Sequence, residues 1–273
     1  PIFSPLSISI VLTVTFVPFL HSWQIIAISL PLAVGYLLIG ALFLEPESPG
    51  YQPVAAPEPG TRRARMAPWL RFAAVIGAIF GATFALSGYF DLSYSRAVTL
   101  SCLGAVVIGL AHRRLQGGKI TLPSMAPMSN ELVIVGGSAF LGVLISTFAT
   151  QWLGAGFSLP GWAYPIVAFV VPSVFFLGGM IGFNPIVIGT LTGGVLGPIW
   201  PVSAVLGLGI AMVSGWGLTA AGTPYSANSL LLERLTGYSA QVASLRWNMA
   251  LSVCCLLFTG ALAAVITLVK AGL

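Results

Sequence analysis

Two apolar runs, Ile2–Leu20 and Ile25–Leu44, are parted only by the short polar joint His21-Ser22-Trp23-Gln24. Each run is close to the roughly 20 residues a helix needs to cross about 30 Å of hydrocarbon. Hydrocarbon offers no partner to a free backbone N–H or C=O, so runs of this kind must close their hydrogen bonds internally, as helices. The pattern continues through the chain, which is 57% hydrophobic and 6% charged, whereas soluble domains carry roughly a quarter charged residues. The fold class expected is therefore all-α: a polytopic membrane helix bundle whose first partner is the lipid bilayer.

Further full spans are expected at Trp69–Tyr89, Ala97–Ala111, Leu132–Leu153, Trp162–Ile181 and Met249–Leu268. With the first two runs this makes about seven, alongside short or re-entrant helices near 186–199 and 213–235. Residues 45–68 form a different kind of segment, rich in Pro, Gly and acids, that cannot build a packed core and reads as a solvated loop. Three parts follow: two N-terminal transmembrane helices (1–44), a Pro-rich cytoplasmic loop (45–68), and a transmembrane bundle (69–273) with a broken helix or hairpin near 213–235. Pro1 opens inside an apolar run, so the natural protein is expected to begin earlier.

Eleven Lys and Arg stand against six Asp and Glu, a net charge of +5. The excess sits beside the spans, in Arg62, Arg63, Arg65 and Arg71 and then His112-Arg113-Arg114 to Lys119. Basic residues gather in cytoplasmic loops, so both clusters are expected on that face, with Asp91 and the uncharged 154–161 loop opposite. This accounts for the charge without nucleic acid as a partner. The localisation expected is multi-pass in a cell membrane, of the bacterial inner-membrane kind.

Catalytic patterns are missing. The sequence has no His-Glu-x-x-His, Gly-x-Ser-x-Gly or phosphate loop, and its two His lie far apart at span ends. Cys102, Cys254 and Cys255 sit in apolar runs without metal-ligand spacing and read as small buried hydrophobes. The expectation is a protein that is not an enzyme, with no metal and no cofactor.

What stands out instead is Val213–Asn248, apolar at both ends but small and polar at its centre. Gly222 relaxes backbone torsions and Pro224 cannot donate a hydrogen bond. The neighbouring hydroxyls and amides offer substitute partners. Two half-helices meeting at a polar tip at membrane depth fit this pattern, and such tips hold solutes in secondary transporters. The candidate substrate- or ion-binding residues are Ser214, Thr219, Thr223, Pro224, Ser226, Asn228 and Ser229. Upstream, Ser129 or Asn130 reads as the cap of a helix from Leu132, with Glu131 in its first turn. The face of that helix carrying Gly136, Gly137, Ser138, Gly142, Ser146 and Thr147 suits either tight packing or a moving bundle.

The runs G-F-N-P-I-V-I-G-T-L-T-G-G-V-L-G-P, S-G-W-G-L-T-A-A-G-T-P-Y-S-A-N-S-L-L-L-E-R-L-T-G and R-W-N resemble the C-terminal half of the ion transporter superfamily. That group includes divalent-anion/sodium symporters, arsenite exporters and the large membrane subunit of TRAP transporters. The resemblance covers roughly residues 130–270, and no equally clear first hairpin lies upstream. It implies a tip at Thr223-Pro224 with Ser226, Asn228 and Ser229, a scaffold helix after Asn184-Pro185, and ion-coupled transport of small anions. Na⁺ or H⁺ would be the coupling ion. A homodimer or other membrane subunits are the protein partners left open. The alternative is a non-catalytic polytopic accessory or assembly subunit of a larger membrane complex.

Overall fold

The computed structural model describes residues 7–43, 62–117, 126–154 and 156–272, and among these the chain is helical with no strand. In chain order the helices are α1 (Ile8–Phe16), α2 (Ser22–Ala41), α3 (Arg62–Tyr89), α4 (Tyr94–Leu115), α5 (Ala126–Leu153), α6 (Ala163–Met180), α7 (Pro185–Leu196), α8 (Val205–Gly222), α9 (Ala227–Thr236), α10 (Ala240–Val242) and α11 (Met249–Ala271). A 3₁₀ turn, Val202–Ala204, leads into α8, and a π-helical turn, Ala243–Trp247, follows α10. Among the described residues, six stretches are long and apolar enough to cross a membrane: Ser22–Ala41, Pro68–Tyr89, Tyr94–Leu115, Ala163–Met180, Val202–Thr236 and Met249–Ala271. The chain is a multi-pass membrane helix bundle.

It divides into two compact units, Leu44–Ser124 and the remainder, where the sequence suggested a single bundle from residue 69 onward. In the smaller unit α3 and α4 pack on each other as a helical hairpin. Helix α3 already begins at Arg62, ahead of the boundary expected at 69, because Arg62–Met66 are mostly strong helix formers. The rest of the expected loop, residues 45–61, lies outside the described residues. Helix α4 runs to Leu115, so His112, Arg113 and Arg114 occupy its last turn, where the negative end of the helix dipole favours cations.

Other boundaries also differ from expectation, each for a local reason. The first span is not one helix to Leu20. Val17 precedes Pro18 and is held extended (φ −104°, ψ 104°), which ends α1 at Phe16. Helix α5 starts at Ala126, so Ser129, Asn130 and Glu131 lie within it and not ahead of it. The signal was Pro127, whose missing N–H costs nothing in a first turn. The joint between α6 and α7 matches its sequence closely. Gly182 takes the left-handed conformation (φ 89°), and Phe183 N–H bonds the Gly178 carbonyl at 2.9 Å, a glycine-terminated helix end. Asn184 Oδ1 then accepts from Ile186 N–H at 2.9 Å, with Pro185 opening α7.

Helix α8 is the post around which the larger unit is built. It packs against α6, α11, α1, α2 and α7, and nearly every residue from Val205 to Thr219 is buried. Without a hydrophobic force between helices in lipid, close approach of backbones supplies the cohesion. A Cβ on Gly215 would stand 2.9 Å from Pro172 Cα and 3.0 Å from Phe175 Cβ, both on α6. A Cβ on Gly222 would meet Ser252 Oγ of α11 at 2.6 Å and Phe176 of α6 at 2.8 Å. Part of the small-residue face of α5 serves the same end: Gly142 abuts Thr190 of α7, and Ser146 abuts Gly194. Gly136 and Gly137 of that face meet open space.

A methyl group added at Gly215 must push α6 away, and such overpacking costs about 1–3 kcal/mol. Gly104 in α4 has nothing within 4 Å of its Cβ direction, and alanine there gains up to about 1 kcal/mol of helix propensity. In detergent-mixture unfolding, Gly215→Ala is expected to be destabilised and Gly104→Ala unchanged or stabilised; the reverse order contradicts the packing described.

Candidate functional site

The break that the sequence pointed to is present but narrow. Helix α8 runs on through Ser214, Gly215 and Gly217 to Gly222, and only Thr223–Ser226 is non-helical before α9 begins. The glycines do not interrupt it, because in hydrocarbon a helix is the state that satisfies their backbone groups. Thr223 ends it: a residue before proline is driven out of the helical region, and Thr223 is extended (φ −104°, ψ 146°) ahead of Pro224. The 18 residues of α8 rise about 27 Å, close to a full hydrocarbon thickness. Gly222 lies beside Ser252 in the first turn of α11. The break is therefore at the end of a helix of near-spanning length, level with the start of its neighbour.

Six of the predicted residues converge at that end: Thr219, Thr223, Pro224, Ser226, Asn228 and Ser229. Thr219 Oγ1 donates to the Gly215 carbonyl at 2.7 Å, and Thr223 Oγ1 to the Thr219 carbonyl at 2.8 Å. Both threonines are buried, and their methyl groups lie against Gly179 of α6. Pro224 is buried beside them. Ser226 caps α9: its Oγ accepts from Ser229 N–H at 3.1 Å and donates to Ser229 Oγ at 3.0 Å. Asn228, exposed, reaches back from α9 and donates its amide to the Ala220 carbonyl at 3.2 Å.

A residue outside the predicted set completes the closure. Asn248, at the entrance to α11, donates its amide to the Ala221 carbonyl at 3.3 Å. The last carbonyls of a helix have no intrahelical partner; here amides from two different elements cover two of them. The sequence signal was Asn248 next to an apolar run, within the R-W-N triplet.

Ser214 stands apart, about 13 Å up the helix from Thr223 by helical rise. It is fully buried near the middle of α8, and its hydroxyl makes no hydrogen bond of ordinary geometry, although the Tyr36 hydroxyl is close enough to interact with it. Beside it lies Tyr36 of α2, whose hydroxyl is hydrogen-bonded to Thr259 Oγ1, in the middle of α11. Ser29 of α2 is likewise fully buried with a hydroxyl that lacks a partner. The sequence reading missed Tyr36, Thr259 and Ser29; the clue was a polar atom well inside each apolar run. Two helix-interior prolines add to this polar layer. Pro31 in α2 and Pro172 in α6 have no N–H, which deprives the Ala27 and Ala168 carbonyls of their ordinary helical donors.

An open apolar groove of about 320 Å³ between α6 and α7, lined by Ile166, Val170, Val174, Thr192 and Leu196 among others, includes none of the candidate residues. Comparison with family models, with curated proteins and with solved structures finds no match for this chain.

If the two amides hold the end of α8, Asn228→Ala and Asn248→Ala should each lower unfolding stability by about 0.5–1.5 kcal/mol, the ordinary net worth of one hydrogen bond. Amide hydrogen exchange at Gly222 to Ser226 should quicken in both. Exchange and stability equal to the parent protein in both variants contradict the closure.

Proposed function

We propose that this chain is a membrane component of a secondary transport system for small anions, coupled to Na⁺ or H⁺, and that the mid-membrane face of α8 at Ser214 is where a polar solute or ion is accommodated. The observation that carries the reading is the Ser214 hydroxyl, fully buried in the most enclosed helix of the bundle, where it makes no hydrogen bond of ordinary geometry and has the Tyr36 hydroxyl as a neighbour. An unsatisfied hydroxyl in such surroundings costs about 1–3 kcal/mol. A helix that only had to pack would be more stable with alanine there. Tyr36 and Thr259 extend the hydroxyl layer onto two neighbouring helices, and Thr219 and Thr223 continue it along α8 to the polar end of the helix.

The likeness of the 182–198 and 214–237 runs to the ion transporter superfamily supports the same reading, as does a chain composed of helices with few titratable groups. Neutral hydroxyls and proline-freed carbonyls suit a desolvated monovalent cation or the oxygens of an anion, since both exchange hydrogen bonds or ion–dipole contacts without a buried countercharge. A bacterial inner membrane is the proposed location. The second reading, an accessory or assembly subunit, draws on the hydrogen bonds that Ser226, Asn228, Ser229 and Asn248 make among local groups, which leave the end of α8 closed upon itself.

The two readings part on Ser214→Ala. In proteoliposomes with an imposed Na⁺ or proton gradient, uptake of labelled succinate or sulfate by the parent protein is expected, and the variant should lose it several-fold, as one hydrogen bond to a charged group is worth roughly 1.5–3 kcal/mol. Its thermal stability should be unchanged or higher. A variant that is more stable and transports normally overturns the role given to Ser214, and a parent protein that moves neither anion under either gradient favours the accessory reading.

A further inference from the structure

The connection Thr223–Asn248 is a long excursion between α8 and α11, and the elements at its two ends lie together. Gly222 and Ser252 touch, and Leu218 packs with Phe176, Cys255 and Leu256, around which Ile39, Met180, Met249 and Leu251 gather. The ends of α2, α6 and α8 and the start of α11 therefore lie together, and the connection leaves from that end of the bundle. Helix α11 has 23 residues, about 35 Å of rise, so its first turn reaches the headgroup level of a bilayer. Helix α9, with ten residues, is too short to cross by itself and begins beside that turn, after the four residues that follow the end of α8.

The surface of this connection has the two properties of an interfacial segment. Its apolar side chains are outward: Leu230, Leu231, Leu232 and Leu235 are exposed, with Tyr225 before them. Tyr238 and Trp247 meet edge to face, ring centroids 5.2 Å apart, and both are exposed; aromatic rings of this kind concentrate at membrane–water interfaces. The charges are Glu233, Arg234 and Arg246. Glu233 Oε2 accepts the Ala240 N–H at 3.0 Å and so is engaged in closing the turn after α9. Arg234 and Arg246 are exposed; one lies in the last turn of α9, four residues before Tyr238, and the other adjoins Trp247 on the π-helical turn.

We infer that α9 and the turn after it form a collar at one end of the bundle that binds the anionic headgroups of membrane phospholipids through Arg234 and Arg246, with the Tyr238–Trp247 pair and the leucines of α9 seated in the adjoining acyl region. Basic residues next to an aromatic and aliphatic surface are the features by which interfacial helices hold anionic lipid. Because the connection begins at the closed end of α8 and ends at Asn248, lipid held there would bear directly on the Asn228 and Asn248 contacts.

The test uses the whole protein purified in a neutral detergent. Added phosphatidylglycerol should raise its melting temperature by several degrees more than added phosphatidylcholine, and native mass spectra should retain bound phosphatidylglycerol. Arg234→Gln with Arg246→Gln should remove most of that difference and most of the bound lipid. Lys270→Gln, at the far end of α11, should leave both intact. Should the double variant fold poorly, Arg246→Gln alone, read by retained lipid in the mass spectrum, answers the same question. Equal effects of the two lipids, or a double variant that retains phosphatidylglycerol like the parent, overturn the proposal. Inorganic phosphate that reproduces the full shift assigns the arginines to a free anion and overturns the lipid assignment.

Discussion

Helix α8 has no lipid face to speak of, and the arrangement of the larger unit follows from that. A spanning helix in the middle of a bundle must satisfy its backbone internally and find partners for its side chains on every side. Five helices supply them, and they can come close enough only because α8 presents glycine where they cross. Gly215 admits the backbone of α6 at Pro172, and Gly222 admits Ser252 of α11 and Phe176 of α6. Substituting any larger residue there does not delete a contact; it pushes a neighbouring helix away from the post.

The same helix concentrates the polar chemistry. Thr219 and Thr223 direct their hydroxyls to carbonyls one turn back, which makes them compatible with burial against α6. At its end, where helical carbonyls have no partner, Asn228 and Asn248 donate to Ala220 and Ala221 from the two ends of the connection that follows. The connection from α9 to α11 is thereby tied to the helix it leaves. Ser214 is the exception: its hydroxyl is buried without a hydrogen bond of ordinary geometry, beside the bonded Tyr36–Thr259 pair. In a helix otherwise so fully satisfied, that single hydroxyl is the feature for which packing alone has no use.

Much of the architecture was legible in the sequence because hydrocarbon imposes simple demands. Runs of about 20 apolar residues had to be helices, Asn184-Pro185 had to start one, and Thr223 ahead of Pro224 had to end one. Less legible was the use made of glycine. In Ser214-Gly215-Trp216-Gly217 the glycines read only as part of a small, polar stretch, yet they lie within α8, where the missing side chain of Gly215 makes room for α6. The start of α5 was misplaced for a related reason: Ser129-Asn130-Glu131 has the form of a cap, but Pro127 allows the helix to begin earlier. Ser214 was among the candidates, whereas Tyr36, Thr259 and Ser29 were not, because a lone hydroxyl in an apolar run carries no spacing to link it with residues more than a hundred positions away.

The central claim is that the buried hydroxyl face of α8 at Ser214 becomes accessible to a polar solute as the protein works. Its most direct test is Ser214→Cys, on a background lacking Cys102, Cys254 and Cys255, labelled in sealed vesicles with a membrane-impermeant thiol reagent. The account predicts slow but measurable labelling under an imposed ion gradient, suppressed by an anion that the protein transports. No labelling from either side of the membrane, under any gradient and over times that fully modify a cysteine at Tyr225, would contradict it.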